Sequence, residues 1–203
     1  MRFLVYVLAA GAVWACVGSS DEATSKERGS EIAGLAKTCA EFRERLAASG
    51  KIFGDVVPRF SFRDWDEDHP DDPKTDNRAY TVENVKAVDG ELDCARKSDQ
   101  LSVFQMNVTT AGEDRDDLLA VGRFMVSMYA VTWAYTGWSK PKVQKIVSDL
   151  IKKANSEAKK SEFRGDSVTQ GKAEYEITDD VDLDYTVGGG LTLMIDASTS
   201  PQQ

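Results

Sequence analysis

Residues 118–138, LLAVGRFMVSMYAVTWAYTGW, are the longest apolar stretch after the N-terminus, and they decide what kind of fold this chain adopts. About 20 apolar residues can span a bilayer, but a helix buried on nearly every side of a core has the same composition. Acidic residues precede the stretch, and its one charge, Arg123, leaves only about 15 uncharged residues, fewer than a span needs. We therefore predict a buried core helix. Arg123 should lie at the surface or pair with an acid, because a lone buried charge is costly.

The segments on either side of this helix have apolar faces that need a buried partner. Thr110 and Glu113 have the spacing of a capping box before the helix, which should end near Gly137. Ser139 and Pro141 then predict the start of another helix, with an apolar stripe at three- and four-residue steps. That stripe consists of Val143, Ile146, Val147, Leu150, Ile151, Ala154 and Ala158. The other faces are rich in lysine and are expected to be solvated, to face anionic head groups or to face a neighbouring acidic surface.

An earlier amphipathic helix is predicted over residues 31–48, with Ser30 as its N-cap and Gly50 just beyond its end. Its apolar stripe includes Cys39, which should therefore face the core. Phe60 and Phe62 alternate with polar residues and predict a short strand. Residues 64–73 hold two prolines and many acids, which indicates a surface loop.

Apolar and polar residues alternate in two regions of the sequence, and this period of two predicts two sets of strands. In the first, residues 80–88 and 91–97 flank Asp89-Gly90, a strong hairpin signal, and a third strand covers 101–109. In the second, residues 173–187 alternate almost without a break around a turn near Asp179-Asp180, and a last strand covers 191–195. We predict an α+β fold, in which an antiparallel sheet of two β-meanders packs against about three helices, one of them the long buried helix.

The N-terminus indicates export. Residues 3–13 form an apolar run of signal-peptide length, and Val13, Ala15 and Cys16 resemble the cleavage site of bacterial lipoproteins, although Trp14 departs from that pattern. The resemblance implies lipidation of Cys16 and a periplasmic or envelope location, anchored in the membrane by lipid. Cleavage by an ordinary signal peptidase, and so secretion, is the alternative. The predicted organisation is an export signal (1–16), a flexible tether (17–30), one α+β domain (31–197) and a loose tail (198–203).

The remaining cysteines support export. Once Cys16 is lipidated or removed, Cys39 and Cys94 remain, and an even pair in an oxidising compartment predicts one disulfide. Cys94 shares a strand face with Leu92, which should aim it at the first helix. Closing so long a loop stabilises the fold by about 4 kcal/mol on the chain-entropy argument.

Charge and residue counts argue against several functions. The formal net charge of −9 opposes binding to nucleic acid. His69 is the only histidine and no G-x-S-x-G motif occurs, so we expect no catalytic triad, no histidine-based zinc site and no cofactor.

Two groups of carboxylates are candidate sites. Asp64, Asp66 and Asp68 alternate as at the start of a calcium loop, but His69 and Thr75 stand where glycine and glutamate belong. The second group should line one face of the last strands as an acidic binding face, which a solvated strand would also produce. Its members are Glu174, Glu176, Asp180, Asp182 and Asp184.

These observations predict a non-enzymatic envelope protein that binds another macromolecule, as an assembly factor or an inhibitor of the immunity type would. The membrane, through the lipid anchor, and an envelope protein are its expected partners. Two alternatives stay open. One is a hydrolase that uses Asp and Glu, with or without a divalent metal. The other is a small-ligand carrier whose pocket would be lined by Trp133, Tyr135 and Trp138.

Overall fold

A seven-stranded antiparallel sheet forms the framework of the protein, with strands in the order β1-β2-β3-β4-β7-β6-β5. The strands are β1 (Ser61–Asp64), β2 (Asn77–Val85), β3 (Val88–Ala95), β4 (Leu101–Val108), β5 (Gly171–Thr178), β6 (Val181–Val187) and β7 (Leu191–Asp196). The helices are α1 (Cys39–Ala48), α2 (Gly50–Phe53), α3 (Trp65–Asp68), α4 (Arg115–Thr136) and α5 (Lys140–Arg164). Strands β1–β4 are the first meander and β5–β7 the second, joined where β7 pairs with β4. The predicted α+β class is confirmed.

This computed structural model describes residues 34–54, 56–72, 74, 76–85, 88–109, 115–165 and 169–197. The leader, Cys16, the tether, the capping box at 110–113 and the tail all lie outside these residues. The described residues belong to one compact unit.

One face of the sheet is apolar across β3, β4, β7 and β6. Leu92, Phe104, Ile195 and Leu183 lie side by side on β3, β4, β7 and β6, and all four are fully buried. Successive side chains of a strand point to opposite sides of the sheet. Apolar residues that are paired across neighbouring strands therefore lie on the same side and form a continuous row. Helices α1, α2, α4 and α5 supply further buried residues of this core.

Helix α4 is the predicted core helix. Phe124, Met128 and Val131 are fully buried in it, and Arg123 is exposed, as predicted. The helix ends before Gly137, which takes a positive φ of 65°. By length and composition, Leu118–Thr136 could cross a membrane, yet 56% of its most apolar window is buried inside the protein.

The predicted start of the first helix is wrong. Helix α1 begins at Cys39, where the Thr38 hydroxyl accepts a hydrogen bond from the Glu41 amide at 3.1 Å. The chain before it is extended, because the Ala36 amide donates to the Tyr135 carbonyl at 2.7 Å. This contact satisfies a carbonyl at the end of α4 that the helix itself leaves without a partner. The predicted end is correct, since α1 ends at Ala48 and Gly50 lies just beyond it, where the short helix α2 begins.

The predicted turn at Asp89-Gly90 is also wrong, since both residues lie inside β3, and the β2–β3 connection falls at residues 86–87, outside the described part. Gly90 pairs with Val82 on one side and Met106 on the other. A Cβ at Gly90 would lie 2.2 Å from the Gln105 carbonyl oxygen. The glycine therefore permits a close approach of two strands and does not make a turn.

Helix α5 packs on the apolar face of β5 and β6. Its predicted stripe is buried except for Ile151, which is half-buried. A Cβ at Gly171 would lie 2.0 Å from the Ala154 carbonyl oxygen, so β5 runs directly against the helix backbone.

A disulfide joins Cys39 of α1 to Cys94 of β3, with 6.1 Å between their Cα atoms. Both residues are buried, and the predicted pairing is confirmed.

Candidate functional site

The face of the second meander opposite the core carries a group of carboxylates. Glu174 is paired with Asp184 across β5 and β6, and Asp182 lies between Glu176 of β5 and Asp196 of β7. All alternate with the core residues of their strands, so they project from the opposite face. We call this group the acidic face: Glu174, Glu176, Asp182, Asp184 and Asp196.

Lys172 contacts two carboxylates of the acidic face. Its Nζ lies 2.8 Å from Asp184 Oδ2 and 3.5 Å from Glu174 Oε2. The hydrogen bond to Asp184 raises the pKa of Lys172, so the lysine stays charged. Asp184 itself is only 7% exposed, and its other oxygen, Oδ1, is buried without a hydrogen-bond partner in the described structure. Lys172 therefore pairs with the buried carboxylate of Asp184 and with the carboxylate of Glu174.

The crowding of like charges shows in the pKa of Asp182. Loss of hydration raises this pKa, and the nearby carboxylates of Glu174, Asp184 and Asp196 raise it further. Such a surface gains free energy when a positively charged group approaches, because the approach relieves the repulsion.

The acidic face differs from its sequence prediction at three positions. Asp180 lies in the turn between β5 and β6 and not on the sheet face, because the turn occupies residues 179–180. Asp196 and Lys172 were missed, since the predicted strands stopped at Ile195 and started at Ala173. Extending the predicted strands by one residue, to Lys172 at the start and to Asp196 at the end, would have placed both residues on the acidic face.

The first meander carries acids too, but these contact cations. Asp64 binds Arg78 at 2.7 Å and caps α3 by accepting from the Asp66 amide. The predicted irregular loop thus begins with a helical turn.

The other two members of the predicted calcium group also bind arginines. Asp66 binds Arg96, whose hydrogen bond lowers the pKa of Asp66, and Asp68 binds Arg63 at 3.3 Å. Because each of the three carboxylates contacts a different arginine, they hold the loop against the sheet. The calcium site stays a prediction.

The loop also reaches the sheet through Lys74, which binds Glu91 and lies 3.8 Å from Asp93. Burial raises the pKa of Asp93, and Glu91 adds to the shift. His69 stacks on Trp65 with 3.8 Å between ring centroids. The only histidine thus helps to build the loop.

Metal-ligand side chains converge at one point of the described chain, where Cys39, Cys94 and Asp99 lie within 4.8 Å of one another. Both sulfurs belong to the disulfide, so neither is a thiolate ligand. The Asp99 carboxylate accepts a hydrogen bond from the Ala40 amide at 3.0 Å. This group stabilises the start of α1.

The carboxylates and aromatic residues bear on the two alternative functions. Glycosidase carboxylates flank the scissile bond from two sides, whereas those of the acidic face project in one direction from a sheet. Trp133 contacts Phe53, with 6.4 Å between ring centroids, and Trp138 contacts Tyr175 at 5.8 Å. Tyr135 is buried, which raises its pKa to about 12. The three aromatic residues of the predicted carrier pocket thus pack within the protein or at its edge.

No protein-family model matches this chain, and comparison with curated proteins and with solved structures finds no similar one.

Proposed function

We propose that this chain is an exported envelope protein, anchored by lipid at Cys16, that binds a basic macromolecule through the acidic face. The observation that carries the proposal is the grouping of Glu174, Glu176, Asp182 and Asp184 near Lys172 on a sheet face opposite the core. Folding gains little from bringing like charges together. Loss of hydration raises the pKa of Asp182, and the neighbouring carboxylates add to that shift. A complementary basic surface would be attracted to these charges, which would strengthen binding and speed association.

The partner is expected to be a protein with lysines or arginines spaced along a strand or loop. Cross-strand neighbours in a sheet lie about 5 Å apart, so the acidic face presents charges on a regular grid. An assembly factor or an inhibitor of a secreted toxin or enzyme would both use such a surface. The leader at residues 1–16 and the cysteine pair support the envelope location.

Site-directed photo-crosslinking in the native envelope tests the binding. A photoreactive residue at Glu176, which is exposed on the acidic face, should give an adduct with a basic protein. Glu174→Gln together with Glu176→Gln should then weaken binding of the purified partner by about tenfold or more, since charge pairs at interfaces contribute this much. The matched control is Glu157→Gln together with Glu162→Gln on α5, which makes the same change of net charge.

The two variants separate specific binding from a general charge effect. Equal weakening by both pairs, or the same adduct from a photoreactive residue at Ser156 on α5, would contradict the assignment of the acidic face. The intact mass of protein purified from the envelope tests the anchor independently. A mass without added lipid on Cys16 would refute the lipid attachment and leave the binding face untouched.

A further inference from the structure

Helix α5 reverses the charge of the rest of the chain. Its 25 residues include eight Lys and Arg against three Asp and Glu. The whole chain has a formal net charge of −9. Its lysines form ion pairs with acids of the helix itself, Asp149 and Glu157.

The positive charges concentrate on the side of α5 that faces away from the core. Lys145, Lys152 and Lys159 follow one another at seven-residue steps, and Phe163 comes four residues later, so all four lie along one side of the helix. All four are exposed. We call these residues the basic stripe; Lys153 and Lys160 lie beside it. Asp149, which contacts Lys145 and Lys152, is the one acid on the same side.

Phe163 gives the basic stripe an apolar end. It is 93% exposed, the highest value among the large hydrophobic residues of the described chain. Keeping a phenyl ring in water forgoes the free energy of burying it. The apolar stripe of α5 is buried in the core, so a membrane would meet its lysines and Phe163. Lysines are attracted to anionic head groups, and an aromatic ring among them can enter the head-group region.

The acidic face does not cancel this positive surface. Helix α5 packs on the apolar side of β5 and β6, whereas the acidic face is on the opposite side of those strands. The helix, about 10–12 Å thick, and the sheet both lie between the basic stripe and the acidic face. A membrane in contact with the basic stripe therefore meets mainly the charges of α5.

We propose that the basic stripe docks the protein on an anionic lipid bilayer. The ammonium groups of the lysines contact anionic head groups, and the ring of Phe163 inserts between them. In this orientation the acidic face points away from the bilayer, where a soluble partner can reach it. The proposal rests on α5 alone and does not depend on what the acidic face binds.

Vesicle co-sedimentation of the full chain tests the docking. Partition is measured into vesicles of phosphatidylcholine and into vesicles in which phosphatidylglycerol replaces part of it. The ratio of the two partition coefficients cancels any binding that is the same for both kinds of vesicle, including apolar binding by the leader. We expect this ratio to be well above one and to fall as salt is added.

Two matched variants locate the contact. Lys152→Gln with Lys159→Gln should lower the ratio by about fivefold for each lysine, the effect expected of a cation near an anionic membrane. Lys37→Gln with Lys51→Gln, at two exposed positions outside α5, makes the same charge change and should alter the ratio less than twofold. Phe163→Ala should weaken binding to anionic vesicles. All of these side chains are exposed, so thermal unfolding should stay close to that of the parent protein and confirm folding.

Three results would overturn the proposal. The first is a full chain that binds both kinds of vesicle equally. The second is an equal fall for both lysine pairs, which would indicate a general charge effect. The third is unchanged vesicle binding by the Lys152/Lys159 variant, together with a mapped contact of the basic stripe on an acidic protein.

Discussion

The two meanders carry carboxylates on their surfaces but neutralise them differently. In the first meander, Arg63, Lys74 and Arg96 all contact acids of the sheet or of the loop beside it. In the second meander, Lys172 contacts both Glu174 and Asp184, just as Lys74 contacts both Glu91 and Asp93 in the first. The difference is that acids of the first meander also contact arginines, whereas β5, β6 and β7 contain no arginine. The first arrangement holds a loop in place and stabilises the fold. The second concentrates like charges at some cost to stability, which is the arrangement expected of a surface kept for binding.

The disulfide gives the largest difference between the meanders, because it ties only the first one to a helix. The Cys39→Ala/Cys94→Ala double variant should lose about 4 kcal/mol in free energy of unfolding, since it frees a loop of 55 residues in the unfolded chain. Urea unfolding measures the total loss. Hydrogen exchange should show protection falling more in α1 and β3 than in β5 and β6.

Cys16→Ser is the matched control, because it removes a cysteine without touching the bridge. Its unfolding free energy should equal that of the parent protein. An equal loss of protection in both meanders of the double variant would mean that the bridge supports the whole sheet, and the contrast between the meanders would then be wrong for stability.

A smaller effect is expected where one lysine serves several acids. Lys172→Met leaves the buried carboxylate of Asp184 without its cation and should reduce the free energy of unfolding by about 1–2 kcal/mol, a value kept low because Lys172 is itself exposed. Urea unfolding at neutral pH measures it. Lys145→Met, which loses an exposed pair with Asp149 at 4.0 Å, should change stability by less than about 0.5 kcal/mol. Equal losses in the two variants would contradict the burial argument for Asp184.

The sequence predicted those elements of the fold that depend only on the spacing of apolar residues. The alternation around residues 179–180, the apolar stripe of α5 and the burial of α4 all follow from the spacing of apolar residues. The two failures, at the start of α1 and at Gly90, depend on contacts between distant parts of the chain. Ala36 reaches the end of α4, and the glycine lets β4 approach β3. Neither contact leaves a local signal.

The candidate site was only partly predictable for the same reason. Alternation placed Glu174, Glu176, Asp182 and Asp184 on one face, and the structure agrees. What alternation cannot give is the partner of each charge. Asp66 and Asp182 each have further aspartates two positions away in the sequence. In the structure, however, Asp66 lies beside Arg96, whereas Asp182 lies among other carboxylates. Their different roles come from the loop and from the register of β6 with β7.

The smallest expected effects test this last difference through pH. Asp182→Asn and Asp66→Asn each remove one negative charge, so they match in net charge, but they should change stability in opposite directions at neutral pH. The pKa of Asp182 is raised in the folded protein, so stability is lost as pH rises from the ordinary aspartate pKa of about 3.9 through the raised value. Replacing Asp182 removes that loss and should raise the midpoint of thermal unfolding at neutral pH.

Asp66 has the opposite linkage. Its pKa is lowered by Arg96, so its contribution is present above the ordinary aspartate pKa and is lost as pH falls through the lowered value. Replacing it should lower the unfolding midpoint at neutral pH. Both differences should shrink in acid, where the two carboxylates are protonated in the folded and unfolded chains alike. Shifts of the same sign at neutral pH would mean that net charge, and not the local partners, governs both sites, and the two meanders would then be electrostatically equivalent.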